Sequence, residues 1–224
     1  MESILKQIYS NILNGQHKTV TENVKIALHN GIPGNKIMND GMILAMAEVG
    51  RLFEAGEYYV PEMLVAARAM QAGMDVLKPY LTSSDAHPAG RIVIGTVKGD
   101  FHDIGKNLVK MMLEGSGFEV IDLGVDVDPE AFISTVTNQQ ANIIAMSALI
   151  TTTMPAMHTV INLLKISGLR PQVKVLVGGA PLTQEFADQI GADGFAPDAS
   201  RAVSCAKDIL SERANTLTKY NIDL

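Results

Sequence analysis

Thiols and indoles are nearly missing from this chain: 224 residues carry one cysteine, Cys205, and no tryptophan. A single cysteine cannot close an internal disulfide and lacks the paired spacing of a zinc or iron–sulfur site. Cys205 lies in an apolar-periodic helix and reads as a core residue. Basic clusters are also missing. With 18 Lys+Arg against 24 Asp+Glu the formal net charge is −6, and the acidic residues are scattered, which argues against a nucleic-acid surface. No apolar run reaches spanning length, and the amphipathic start Met-Glu-Ser-Ile-Leu-Lys-Gln-Ile-Tyr is unlike a secretory signal. The expectation is a cytoplasmic protein with neither a nucleic-acid nor a membrane partner.

What the chain does have is apolar material, 47% of its residues, enough to pack one large or two small domains. Residues 1 to about 81 read as all helix. Ile4, Leu5, Ile8, Ile12 and Leu13 form one stripe; Val20, Val24, Ala27 and Leu28 form a second beyond Gly15. Gly31-Ile32-Pro33-Gly34 ends the second helix. A third is expected from about Asn35 to Phe53 and a fourth from about Pro61 to Tyr80, with proline at a tolerated first-turn position. Four such helices suffice for an antiparallel bundle. Met38, Met42 and Met46 recur at i, i+4, i+8, and Met70 and Met74 at i, i+4. Core filling is the plain reading, and a pliable apolar surface facing a bulky ligand the sharper one.

Thr82 to Gly90, small and polar with Pro88 and without apolar period, reads as a linker, with His87 solvated in it. From Arg91 on, strands and helices alternate, which predicts a parallel sheet with helices on both faces. Strands are expected at Arg91–Val97, Phe118–Gly124, Asn142–Ala148, Val173–Val177 and Gly194–Ala196, and a last helix from Ala199 to Ala214. The fold class is α/β: a four-helix bundle over 1–88, a five-stranded flavodoxin-like or Rossmann-like domain over 89–214 in strand order 2-1-3-4-5, and a tail over 215–224.

In such a sheet, ligands bind at the carboxyl ends of the strands, at the switch between strands 1 and 3. Gly99-Asp100-Phe101-His102-Asp103-Ile104-Gly105-Lys106-Asn107 falls there, between the first strand and its helix. A lone turn histidine is commonly just a polar loop residue. Asp100, two positions earlier, changes the reading: a carboxylate accepting Nδ1–H fixes the tautomer and leaves Nε2 free for a metal. Ser147-Ala148-Leu149 and Gly178-Gly179 follow later, each after a strand. Glycines at a strand end let a flat or extended group approach the backbone.

Asp-x-His-x-x-Gly, then Ser-x-Leu, then Gly-Gly, at these separations, resembles the cobalamin-binding signature of methionine synthase and methylmalonyl-CoA mutase. The stretch Val49 to Glu62, with Phe53 and Val60, resembles the helical cap before the cobalamin domain in methionine synthase and in methanogen and acetogen corrinoid proteins. Residues 1 to about 213 resemble the stand-alone corrinoid proteins of methylamine, methanol, glycine-betaine-like and aryl-ether methyltransferase systems. The resemblance implies cobalamin or a related corrinoid, cycling through methylcobalamin and Co(I) states. By the same resemblance it would be bound base-off, with His102 as the lower axial ligand to cobalt. Asp100 and Thr153 would continue from His102 as a hydrogen-bonded chain, Thr153 standing where methionine synthase has serine. Asp103, Ile104, Gly105, Ser147, Leu149, Gly178 and Gly179 would line the cofactor and its displaced tail, and Phe53 and Val60 would shield its upper face.

The implied role is a methyl shuttle, incomplete as an enzyme by itself. Its partners would be a substrate:corrinoid methyltransferase, a corrinoid:tetrahydrofolate or corrinoid:thiol methyltransferase, and an activating iron–sulfur protein. Plain alternatives stand beside these roles: Ser147 satisfying backbone at a strand end, Thr153 capping the next helix, Phe53 filling the bundle core. Two other corrinoid functions remain open. One is the small subunit of an adenosylcobalamin-dependent mutase, which does not usually carry this cap. The other is a cobalamin-based sensor, for which the segment after Ala214 reads as too short.

Overall fold

The computed structural model describes residues 2–81 and 89–220; the linker residues 82–88, with His87, lie outside the described residues. Two compact units result, Met1–Pro88 with Glu114–Gly117, and Ala89–Leu113 with Phe118–Leu224.

The helical unit contains α1 (Glu2–Leu13), α2 (His17–His29), α3 (Gly34–Lys36), α4 (Leu44–Glu54) and α5 (Val60–Leu77). Most of each expected stripe is core: Leu5, Ile8 and Ile12 of α1 and Val20, Val24 and Ala27 of α2 are buried, while Ile4, Leu13 and Leu28 are half-buried. On α5 the facing residues are small, Ala66, Ala69 and Gly73, so backbones approach closely; a Cβ at Gly73 would come 2.8 Å from both Met42 and Val20. Glu62 accepts the Tyr59 N–H at 2.9 Å and starts α5, with Pro61 in its first turn as expected.

One feature departs from the expected single helix over 35–53. Ile37–Ile43 is π-helical and joins α3 to α4. In a π-turn residues five apart share a face, and Ile37 and Met42 are both fully buried. The wider turn brings both inward, where α-helical spacing would splay them. Of the methionines, Met42, Met46 and Met70 are core, while Met38 and Met74 are half-buried.

The second unit contains β1 (Arg91–Thr96), α6 (Ile104–Gly115), β2 (Glu119–Asp122), α7 (Pro129–Gln139), β3 (Ile143–Ser147), α8 (Pro155–Ile166), β4 (Lys174–Gly178), α9 (Gln184–Ile190), β5 (Gly194–Ala196) and α10 (Ala199–Tyr220). All pairings are parallel, in the order β2-β1-β3-β4-β5. Ile92–Ile94, Ile143–Met146 and Val175–Val177 are buried runs, as expected where helices cover both faces of a parallel sheet. Each Val, Leu, Ile and Met side chain in them stabilises the fold by roughly 1.5–3 kcal/mol. Gly95 lies within β1 beneath Phe132 of α7; a Cβ there would sit 2.8 Å from the ring. The last helix continues to Tyr220, past the Ala214 end expected from sequence. Among the described residues no helix is long and apolar enough to cross a membrane.

Candidate functional site

Sheet register brings the separated motifs to one edge. Thr96 at the end of β1 pairs with Ser147 at the end of β3, which pairs with Gly178 at the end of β4. The loop carrying His102 leaves the sheet immediately after Thr96, so the order places it beside the Ser147 loop, with the Gly178-Gly179 turn next.

Asp100 is the hub. Its side chain is completely buried, and both oxygens are used. Oδ1 accepts the His102 backbone N–H at 3.1 Å and lies 2.7 Å from His102 Nδ1. Oδ2 accepts the Leu149 N–H at 2.8 Å, the Thr153 Oγ1–H at 2.8 Å and, at 3.4 Å, the Ile150 N–H. Burial alone would push this carboxyl up. The donors from Leu149, His102 and Thr153 outweigh it and hold the group well below the usual carboxylate range. An ionised carboxylate only accepts, so Nδ1 of His102 carries its proton toward Asp100.

That fixes the outward atom. Nε2 of His102 has no hydrogen-bond partner among the described residues, and the side chain is 55% exposed. The backbone behind it is held by Thr96, whose buried hydroxyl donates to His102 O at 2.9 Å. The surroundings of the imidazole are apolar and open: Phe101 is 69% exposed, Ile104 86% and Leu149 43%.

The other expected residues divide by what they touch. Asp103 closes the first turn of α6, its carbonyl accepting the Asn107 N–H at 2.8 Å and its carboxylate the Asn107 amide at 3.0 Å. Gly105 has open space where a Cβ would be. The Ser147 hydroxyl makes no hydrogen bond among the described residues, whereas its carbonyl accepts the Val97 N–H. Gly179, at φ +136°, lies so close to Ala148 that a Cβ would collide with the Ala148 carbonyl, and a Cβ at Gly178 would come 2.9 Å from Ala196 O. Thr153 does not cap α8 with its side chain, since its hydroxyl faces Asp100 and Ile150 O. Phe53 and Val60 belong to the helical unit. Phe53 is half-buried near the end of α4 rather than sealed in the core, and Val60 opens α5 exposed.

Sequence reasoning missed Thr96 and the backbone donor of Leu149. A threonine ending a strand has no signature of its own, and a main-chain donor has none at all.

These residues fit a corrinoid. Among the described residues no group of three or more His, Cys, Asp or Glu side chains could hold a bare metal ion. One oriented imidazole is a single ligand, suited to a metal that brings its other ligands with it. The exposed apolar side chains around it suit a broad macrocycle, and the unengaged Ser147 hydroxyl beside two glycines suits a polar appendage.

Comparison with known proteins agrees. Two family models, each described as a B12 binding domain, match residues 90–204 and residues 4–78. The chain is a cobalamin-binding protein with a helical cap followed by a Rossmann-like domain. Dimethylamine corrinoid protein 3 of Methanosarcina acetivorans is 43% identical over 94% of this chain and 98% of its own length. Among solved structures, a cobalamin-binding protein from Desulfitobacterium hafniense is 31% identical, with TM-score 0.77 over 92% of this chain and 98% of that one. The methanol:cobalamin methyltransferase complex MtaBC of Methanosarcina barkeri gives 28% identity and TM-score 0.84 over 94% and 81%. This chain belongs to the corrinoid proteins of methylamine and methanol methyltransferase systems.

Proposed function

We propose that this protein carries a methyl group from a substrate-specific methyltransferase to a second methyltransferase that delivers it to a thiol or to tetrahydrofolate. A methylated amine is the favoured source, because relatives of high coverage are named dimethylamine and trimethylamine corrinoid proteins. The fold neighbour MtaBC is a methanol:cobalamin methyltransferase complex, which supports a methyltransferase partner here. An iron–sulfur protein that restores the reduced cofactor completes the system.

One observation carries the reading: an exposed imidazole, oriented by a fully buried carboxylate, stands among exposed apolar side chains at the strand-1/strand-3 crevice. His102 would hold the cobalt of the corrinoid through Nε2. Asp100 holds the Nδ1 proton and so leaves Nε2 free, and Thr153 holds Asp100 from behind. Ser147 would bind the corrinoid's polar tail, with Gly178 and Gly179 giving it room; Ile104, Gly105 and Leu149 would contact the macrocycle. Phe53 and Val60 of the helical unit would shield it. When bound, the corrinoid supplies the methyl-accepting and methyl-releasing chemistry at cobalt.

The test is the visible spectrum of protein reconstituted with hydroxocobalamin and then methylated, wild type beside His102→Ala. Ligand-on methylated wild type and ligand-off variant are expected. Identical spectra in the two proteins overturn the ligation.

A further inference from the structure

The loop between β2 and α7 makes polar contacts with the histidine turn on both sides of His102. Gly99, three residues before His102, has φ +83°, and its N–H donates to Asp126 Oδ1 at 2.8 Å. The Asp126 N–H in turn donates to Asp100 O at 2.9 Å. Lys98, next to Gly99, lies 3.3 Å from Asp126 and 3.2 Å from Asp128. Four residues after His102, the ammonium of buried Lys106 donates to Asp122 Oδ1 at 2.7 Å, and that same oxygen accepts the Gly124 N–H at 2.9 Å. Asp126 itself adopts φ +53°, a left-handed conformation that aspartate and asparagine tolerate better than other residues with a Cβ. Its backbone is bent so that N–H and carboxylate face the same turn.

None of these residues belongs to the Asp100–His102–Thr153 chain. Together they fix the direction in which that chain leaves the sheet. We infer that Asp126 is a positioning residue for the metal-ligating imidazole: it locks the Gly99–Asp100 backbone so that His102 is already aimed when the cofactor arrives. The Asp122–Lys106 ion pair anchors the far side of the same turn. This rests on His102 being the axial ligand, as proposed above.

Two substitutions separate the side chain from the backbone. Asp126→Gly keeps the left-handed conformation at no steric cost and removes the acceptor. Asp126→Asn keeps both the conformation and an acceptor oxygen. In the full chain without corrinoid, amide hydrogen exchange at Gly99 should speed up at least tenfold in Asp126→Gly and stay near wild type in Asp126→Asn. After loading with hydroxocobalamin and methylation, Asp126→Gly should move toward the ligand-off spectrum of His102→Ala and bind the corrinoid on the order of tenfold more weakly. Asp126→Asn should resemble wild type.

Unchanged Gly99 exchange in Asp126→Gly overturns the inference. So does a wild-type spectrum for Asp126→Gly where His102→Ala is ligand-off. If His102→Ala itself leaves the spectrum unchanged, the ligation fails and the positioning of a ligand fails with it; Gly99 exchange then reports only whether Asp126 orders the turn.

Discussion

Thr153 reaches Asp100 across 53 residues of sequence, its Oγ1 standing 2.8 Å from Oδ2. The same oxygen is 2.8 Å from Ile150 O, yet a hydroxyl has one proton to donate. The ionised carboxylate is the stronger acceptor and takes it. Thr153→Val, close in shape, should therefore cost about 1 kcal/mol in unfolding free energy, while Thr153→Ser should restore the hydroxyl and stay near wild type. Chemical denaturation of the three proteins checks this. A valine variant as stable as wild type would mean that the hydroxyl contributes nothing.

Asp100→Asn makes a harsher change. One amide end must present NH2 to donors that formerly met oxygen: either the His102 side or the Leu149 and Thr153 side. Loss of about 1–3 kcal/mol is expected. The methylated, corrinoid-loaded variant should also shift toward ligand-off across pH. A spectrum indistinguishable from wild type at every pH would separate Asp100 from the imidazole.

The acid limb of stability follows from the same carboxylate. Its folded value lies below the unfolded one, which is about 3.9. Its contribution is therefore complete above the unfolded value and disappears as pH falls through the folded one. The stability difference between wild type and Asp100→Asn should narrow steadily below about pH 4. Urea titrations between pH 5 and 2.5 measure it, and a gap that widens toward acid contradicts the assignment.

Gly105→Ala separates folding from cofactor contact. A Cβ there meets nothing, and alanine in a helix is favoured by roughly 0.5–1 kcal/mol over glycine. The corrinoid-free variant should be as stable as wild type or slightly more so. If the macrocycle lies against this turn, its affinity for cobalamin should fall, read by equilibrium dialysis. Unchanged affinity would remove Gly105 from the contact surface.

Much of this was legible beforehand because the signals are local. Alternation and β-branching in Arg91–Val97 mark a strand, and the order of strands and helices dictates a parallel sheet with the switch beside β1. The Asp100–His102 pair is two residues apart and needs no tertiary knowledge. The contact from Asp100 to Thr153 became visible only through family resemblance, since it depends on how β1 and β3 align. The π-helical segment was not legible, because Met38, Met42 and Met46 satisfy an ordinary helix and the buried Ile37–Met42 pair shows itself only in three dimensions. Asp126 was also hidden: its importance lies in a backbone angle and in the Gly99 amide, neither of which one letter encodes.

Gly179 leaves no room for a Cβ against the Ala148 carbonyl, and Asp100 ties the loop after β1 to the loop after β3. The strand ends on either side of Ser147 are thus held by a close main-chain approach at Gly179 and by the shared Asp100 carboxylate. Alanine at Gly179 would have to push the two strand ends apart. The spacing from Leu149 to Thr153 is constrained as well, because a residue added between them would draw the Thr153 hydroxyl and the Leu149 amide out of step on the one carboxylate oxygen they share.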